Sequence, residues 1–260
     1  KGALKFEDIS VLSQIKQDST WSTGVTMVDI NTDGFLDIYV CKVGNYKGLK
    51  AKNELYINNG DNTFKEQATA YGLDFSGFST QASFFDYDQD GDMDMYLLNH
   101  SVHTTYSYGN TKLRTKPNAL AGDVLYENTS ENGQIKFIDV TTKAGIYNSA
   151  LGYGLAIATS DVNNDGLLDI YIGNDFHEND YLYINNGDKT FTESSDSYFN
   201  HTSRFTMGVD VADINNDEKP DLVTLDMMPY KAAIFLKSGG EDSDKINEIK
   251  KTFGFQQQYA

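Results

Sequence analysis

Along most of the chain, apolar and polar residues alternate in short runs, and each run ends in a cluster of Asn, Asp and Gly. Val25-Thr26-Met27-Val28 and Leu36-Asp37-Ile38-Tyr39-Val40 are the first such pair, and Leu55-Tyr56-Ile57-Asn58 opens the next. A period of two over four to eight residues, bounded by turn formers, marks strands with one buried face. On this basis strands are expected near 24–28, 36–40, 54–58 and 63–68. A second set falls near 80–85, 94–98, 123–127 and 135–140, and a third near 154–160, 168–172, 181–185 and 190–194. Two more fall near 206–212 and 221–225.

The pattern repeats. Leu55-Tyr56-Ile57-Asn58-Asn59-Gly60-Asp61-Asn62-Thr63-Phe64 returns as Leu182-Tyr183-Ile184-Asn185-Asn186-Gly187-Asp188-Lys189-Thr190-Phe191, and in degenerate form from Leu125 to Phe137. Each copy is a strand, an Asn/Gly/Asp turn and a second strand opened by Phe, which is a hairpin signal. Phe6-Glu7-Asp8-Ile9-Ser10 resembles the last strand of such a unit, as in Phe137-Ile138-Asp139-Val140. Four antiparallel strands in roughly fifty to sixty residues form one blade of a β-propeller. The expected fold is therefore an all-β propeller of four-stranded antiparallel blades, about three and a half of them present. Blade units run approximately over 20–70, 78–142, 152–196 and 204–226.

Between the first two strands of each unit lies an acidic loop. In Asp161-Val162-Asn163-Asn164-Asp165-Gly166-Leu167-Leu168-Asp169, oxygen side chains occupy positions 1, 3, 5 and 9, with glycine at 6. Alternate residues of a tight loop can turn their oxygens onto one point, and a cation of calcium size takes six to eight oxygens at about 2.3–2.6 Å. The carbonyl of Leu167 would add another donor. Asp29, Asn31, Asp33, Gly34 and Asp37 repeat the pattern, as do Asp86, Asp88, Asp90, Gly91 and Asp94. The fourth copy has Asp213, Asn215, Asp217 and Asp221, but Glu218 replaces the glycine and Pro220 stiffens the exit. An EF-hand would need a bidentate Glu at position 12 and flanking helices. Position 12 is Val40, Leu97, Ile172 or Thr224, and the flanks read as strands.

An Asp-x-Asn/Asp-x-Asp-Gly-x-x-Asp loop followed by Leu-Tyr-Ile-Asn-Asn-Gly-Asp-x-Thr-Phe resembles the FG-GAP/VCBS repeat family over about residues 6–226. Its members resemble the propeller head of integrin α subunits and the bacterial relatives of cartilage acidic protein. The resemblance implies a propeller, most often seven-bladed, with calcium in many blades, at the cell surface or secreted. It carries over metal residues position by position: Asp29, Asn31, Asp33 and Asp37; Asp86, Asp88, Asp90 and Asp94; Asp161, Asn163, Asp165 and Asp169; Asp213, Asn215, Asp217 and Asp221. The carbonyls of Phe35, Asp92, Leu167 and Lys219 would complete up to four Ca2+ sites, and the Glu218 departure weakens the fourth.

Composition sharpens this reading. Aromatics make up 13% of the 260 residues, with 22 Gly and only 3 Pro, a mix suited to short strands and tight turns. The net charge of −17 argues against a nucleic-acid partner, which needs clustered Lys and Arg. Four bound dications would reduce it to roughly −9. The single cysteine, Cys41, offers no disulfide framework and reads as a small buried side chain. No apolar run is long enough to span a membrane, and Lys1-Gly2-Ala3-Leu4-Lys5 is not a signal peptide. Open, Asp-rich calcium sites favour export, so the expected location is extracellular or the cell surface, bacterial outer membrane included. Any leader or lipid anchor would lie outside this sequence. Three and a half blades cannot close a ring, which points to a longer propeller or a completing chain.

Two inserts interrupt the repeat, at 99–121 and 226–260. Ser243 could cap a helix over 244–253 with Ile246, Ile249 and Phe253 on one face. Both inserts leave from the ends opposite the acidic loops, so they are expected on the face away from the metals. Binding tends to reside in loops on a rigid scaffold. The function expected is an exported, calcium-stabilised module for protein–protein interaction, adhesion or assembly, with proteins of a surface complex as partners. A carbohydrate-binding propeller with glycan partners is the alternative, and a polysaccharide-cleaving enzyme on the same scaffold is a third. No catalytic residues are assigned: His100, His103, His177 and His201 are scattered, and Asp175, His177 and Glu178 form a polar cluster without a nucleophile motif. Asn99, Asn128 and Asn200 match the N-glycosylation acceptor.

Overall fold

The computed structural model describes residues 5–16, 18–102, 110–131, 133–227, 231, 233–234, 248, 251–255 and 258–259. Three antiparallel sheets of four strands follow one another along the chain. The first holds β1 (Ser22–Val28), β2 (Asp37–Lys42), β3 (Glu54–Asn58) and β4 (Phe64–Glu66), followed by one helical turn, α1 (Ala68–Tyr71). The second holds β5 (Ser79–Phe85), β6 (Asp94–Asn99), β7 (Val124–Asn128) and β8 (Phe137–Asp139). The third holds β9 (Gly154–Ser160), β10 (Asp169–Asn174), β11 (Tyr181–Asn185) and β12 (Phe191–Glu193), followed by α2 (Ser195–Tyr198). Each sheet runs in simple meander order. Strand β13 (Thr202–Ser203) precedes a two-stranded sheet of β14 (Thr206–Ala212) and β15 (Asp221–Asp226). Near the chain end, β16 (Gln258–Tyr259) pairs in parallel with β13. The strands expected from alternation are all present, with ends moved by at most two residues.

The registers make the sheets copies of one another. Val28 pairs with Asp37, Phe85 with Asp94, Ser160 with Asp169 and Ala212 with Asp221, so each acidic loop is the turn of its first hairpin. The first strands of successive sheets lie side by side: β1 against β5, β5 against β9, β9 against β14. Hydroxyls tie them: Thr26 Oγ1 donates to Ala82 O at 2.6 Å, and Thr80 Oγ1 to Gly154 O at 2.9 Å. The approach is close enough that a Cβ on Gly24 would lie 2.2 Å from Thr80 O, so that position accepts only glycine. This is the blade arrangement of a propeller, with the first strand of each sheet innermost.

The core lies between the sheets. Tyr39, Leu55 and Ile57 of the first sheet meet Ala82, Met95, Leu97 and Val124 of the second. Tyr96, Leu98 and Leu125 on the reverse face of the second meet Ile157, Ile170, Ile172 and Tyr183 of the third. A middle blade is thus apolar on both faces, which explains why β6 and β10 are buried throughout. Cys41 belongs to the first core, and burial pushes its thiol up to about 12. Most of the expected helix over 244–253 lies outside the described residues, of which 248 and 251–253 are helical. Residues 103–109 of the first insert also lie outside them.

Candidate metal centres and the opposite face

Each acidic loop is wired by the same backbone bonds. One carboxylate oxygen of the first Asp accepts the N–H of position 5: Asp29 from Asp33 at 3.0 Å, Asp86 from Asp90 at 3.2 Å, Asp161 from Asp165 at 3.1 Å and Asp213 from Asp217 at 3.1 Å. The other oxygen accepts the N–H of position 6, from Gly34, Gly91, Gly166 or Glu218, at 2.8–3.1 Å. Position 9 turns back on position 2: Asp37, Asp94, Asp169 and Asp221 accept from Ile30, Tyr87, Val162 and Ile214 at 2.9–3.2 Å. In three blades the second oxygen of this Asp also accepts from the third strand, from Asn58, Asn128 or Asn185 at 2.7–2.8 Å. Asp37, Asp94 and Asp169 are therefore fully buried and fixed in direction by the sheet. Burial pushes all three carboxyls upward, Asp94 to about 8.

The loops bend through left-handed residues at positions 4 and 6. Position 6 has φ of +88°, +96° and +89° at Gly34, Gly91 and Gly166, and Glu218 holds +65° in the fourth copy. The fourth loop thus keeps the geometry of the others despite its side chain, at the expense of local strain.

The donor set fits a hard cation: carboxylates and carboxamides only, with no nitrogen or sulfur ligand. Asp86, Asp88 and Asp94 bring one oxygen each within 4.8 Å of one another, a cluster able to hold a metal ion. This second loop is the most acidic. Asp88 stands where the other loops have Asn31, Asn163 and Asn215. In the first and third loops that Asn donates its Nδ2 to position 5 at 2.8 Å. In the second, Lys189 crosses from the third blade's hairpin to within 2.6 Å of Asp88 Oδ2 and 2.7 Å of Glu127 Oε1.

The opposite ends of the sheets carry a second repeated device that sequence reading missed. Asn53, Asp123 and Asp180, just before the third strands, are buried. Each accepts the backbone N–H of the last residue of the second strand, from Lys42, Asn99 or Asn174 at 2.7–2.8 Å. Each also meets the hydroxyl of the central tyrosine of that strand: Tyr39 with Asn53 at 3.0 Å, Tyr96 with Asp123 at 2.9 Å, Tyr171 with Asp180 at 2.7 Å. The next blade joins in, since Asn53 donates to Ser79 Oγ and Thr206 donates to Asp180. The signal was available as Asx-x-Leu-Tyr, in Asn53–Tyr56, Asp123–Tyr126 and Asp180–Tyr183. Burial pushes Asp123 up to about 7 and Asp180 to about 6.

On this face the first insert is latched to the third blade. A 3-10 turn over Thr111–Thr115 carries Arg114, whose Nε and Nη2 donate to Glu178 Oε1 at 2.8 and 2.5 Å. Nη2 also reaches Asn179 Oδ1 at 3.2 Å, and the guanidinium lies over Tyr181. Glu178 is thereby a structural partner within the polar cluster noted in the sequence. Thr111 Oγ1 donates to Phe253 O at 3.1 Å, so the two inserts touch. Of the three glycosylation-type motifs, Asn99 and Asn128 are buried, and only Asn200 is exposed.

Repeated four-stranded blades with acidic hairpin loops define a class, and comparison with known families agrees. The FG-GAP-like repeat model matches residues 43–97 and 161–224. The two matched segments are FG-GAP-like repeats, and the sheets that contain them are blades of a β-propeller. It is 26% identical over 207 residues to human cartilage acidic protein 1, which covers 77% of the chain but only 29% of that relative's length. Among solved structures it is similar to an Agrocybe aegerita lectin specific for non-reducing terminal N-acetylglucosamine (18% identity, TM-score 0.46, 79% of this chain and 47% of that one). It is also similar to the V. cholerae biofilm matrix protein Bap1 (15% identity, TM-score 0.35, 79% and 35%).

Proposed function

We propose that the chain is the calcium-stabilised propeller portion of an extracellular binding module, and that the insert-bearing face takes a protein partner. The observation that carries this is the fourfold recurrence of one oxygen-lined loop at one end of the blades, with described residues of the two inserts, Thr111 and Phe253, in contact at the other. Position 9 fixes one carboxylate from the sheet, and positions 1, 3 and 5 lie in the loop around it. Asp29, Asn31, Asp33 and Asp37, with the Phe35 carbonyl, would hold one Ca2+. The sets Asp86–Asp94 with the Asp92 carbonyl, Asp161–Asp169 with that of Leu167, and Asp213–Asp221 with that of Lys219 would hold the others. A dication there cancels carboxylate repulsion and stiffens the hairpin. Loops of this composition load where free calcium is abundant, which supports a location outside the cell. No helix among the described residues is long and apolar enough to cross a membrane.

The partner face needs a test that spares the fold. Deleting 101–120 would remove Arg114 and leave Glu178 buried without its cation, so the deletion confounds binding with stability. Lys112 and Lys116 are exposed on the same turn. Charge reversal at both, K112E/K116E, should weaken capture of the protein partner at least tenfold while the melting temperature stays unchanged. Unaltered capture would remove this face from the interface. Retention on a glycan array would favour the carbohydrate-binding reading, to which the aromatic-lined hollow of Trp21, Tyr46, Phe78 and His100 lends a specific site. Calcium titration by calorimetry should give up to four sites.

A further inference from the structure

The second acidic loop and its surroundings depart from the sister blades at three places, and the three departures meet. Asp88 stands at position 3, where the other loops have Asn31, Asn163 and Asn215. Glu127 stands in β7 where Ile57 and Ile184 stand in β3 and β11. Lys189 stands in the β11–β12 turn where Asn62 stands in the β3–β4 turn. Lys189 Nζ lies 2.6 Å from Asp88 Oδ2 and 2.7 Å from Glu127 Oε1, and those two acidic side chains are only 1% and 13% exposed. The backbone at this point does not favour lysine. Lys189 holds φ +67° and Asn62 +68°, a left-handed conformation that asparagine tolerates and lysine rarely adopts. What the lysine brings in return is its charge.

The turn that carries Lys189 is pinned to both neighbouring loops. Asn185 N donates to Asp169 Oδ1 of the third loop at 2.8 Å, and Asn185 Nδ2 donates to Tyr87 O of the second at 2.8 Å. The loops also touch directly, where Gln89 Nε2 donates to Gly166 O at 2.7 Å. So held, the ammonium lets Asp88 do what an asparagine does elsewhere. Asp88 Oδ1 accepts the N–H of Asp90 at 3.2 Å, as Asn31 Oδ1 and Asn163 Oδ1 accept those of Asp33 and Asp165 at 3.1 and 3.0 Å. Its other oxygen takes the ammonium, where the two asparagines donate Nδ2 to position 5. Among the described residues, no lysine or arginine forms an ion pair with the first, third or fourth loop. The second loop needs one most, since Asp86, Asp88, Asp90, Asp92 and Asp94 crowd it with Glu127 alongside.

We propose that Lys189 is the resident counter-cation of the second loop: it steadies the crowded carboxylates when no divalent ion is bound, and it lowers the affinity of that loop for calcium. The inference rests on the reading of these loops as calcium sites. An ammonium paired with a ligand carboxylate repels a dication and competes for that carboxylate. Even at the dielectric and screening of salt water, this amounts to about fivefold or more in affinity. Lys189 comes from the third blade, so the affinity of the second site is set across the interface between blades.

Hydrogen exchange read by mass spectrometry during a calcium titration of the full chain gives a midpoint for each loop separately, from the amides of 29–37, 86–94 and 161–169. In K189M the midpoint at 86–94 should fall to about one fifth of its wild-type value or less, while that at 29–37 stays in place. In excess chelator the 86–94 amides of K189M should exchange faster than those of wild type, because the empty loop has lost its cation. D88N/K189M removes one charge of each sign and should return the midpoint to within about twofold of wild type. A K189M midpoint that does not move overturns the proposal. One that rises overturns it as well, because cutting a purely structural tie loosens the site. A fall shared equally by 29–37 overturns it too, since the lysine would then act on the whole fold. If no wild-type loop gains protection in millimolar calcium, the calcium reading fails and takes this inference with it. Normal loading at 29–37 without a shift at 86–94 defeats the inference alone.

Discussion

Glu218 shows how much a loop can ask of one residue. Its backbone occupies the left-handed region that three glycines occupy in the sister loops, and its N–H still reaches Asp213. A non-glycine residue there is strained by about 1 kcal/mol. Glu218→Gly should therefore stabilise the protein by up to about that amount, less what the freer unfolded chain takes back; urea unfolding in saturating calcium reads it. Asp123 carries a different strain. Its carboxyl is buried and pushed up to about 7 from 3.8, so the folded state holds a proton that the unfolded state has released. Stability from this group is whole below about pH 4 and is lost as pH rises through about 7, with a slope of at most about 1.4 kcal/mol per pH unit. The first blade shows the remedy, because Asn53 accepts the same backbone N–H and meets the tyrosine hydroxyl as a donor, without charge. Asp123→Asn should gain stability relative to wild type at pH 8 and gain little at pH 4, as read from urea midpoints at the two values.

Among elements, the hairpin loops and the insert follow different rules. The loops are local: positions 1, 2, 5, 6 and 9 bond one another within nine residues, so a sequence pattern suffices to find them. The insert is held from a distance. Arg114 reaches Glu178, 64 positions on, in a pair whose acid is 1% exposed. Burial pushes the Glu178 carboxyl upward, and the guanidinium beside it opposes that. Arg114→Ala removes the cation from a buried carboxylate that keeps the Asn179 N–H, at about 3 kcal/mol. A thermal melt should show the loss, and Glu178→Gln in the same background should recover part of it. If R114A melts like wild type, the insert is not latched by this pair. Lys189 is the corresponding tie at the acidic-loop end, offsetting the extra charge of Asp88 from the neighbouring blade.

For the whole molecule, stability rests on surfaces between sheets and on the charge crowded at one end of them. The inter-blade cores are continuous from the first blade to the third, and the inner strands are tied by threonine hydroxyls. With a net charge of −17 and up to four acidic loops, removal of divalent ions should soften every blade at once. Addition of a chelator should lower the melting temperature by about ten degrees or more, and calcium should restore it. An unchanged melt would show that the hydrogen-bonded loops are self-sufficient turns.

Sequence alone determined the strand positions, the blade as repeating unit and the four acidic loops, because each rests on bonds or alternation within a few residues. Even the departure at Glu218 was legible, since a missing glycine is visible where three others stand. The buried Asx was marked in the chain by Asx-x-Leu-Tyr, but the tyrosine it meets belongs to the neighbouring strand, and only the fold brings that hydroxyl and, at Asn53 and Asp180, the hydroxyl of the next blade to it. Arg114 with Glu178, Lys189 with Asp88, and Phe253 with Thr111 were not legible at all. They join residues far apart in the chain, and only the stacking of one blade on the next decides which distant charges meet.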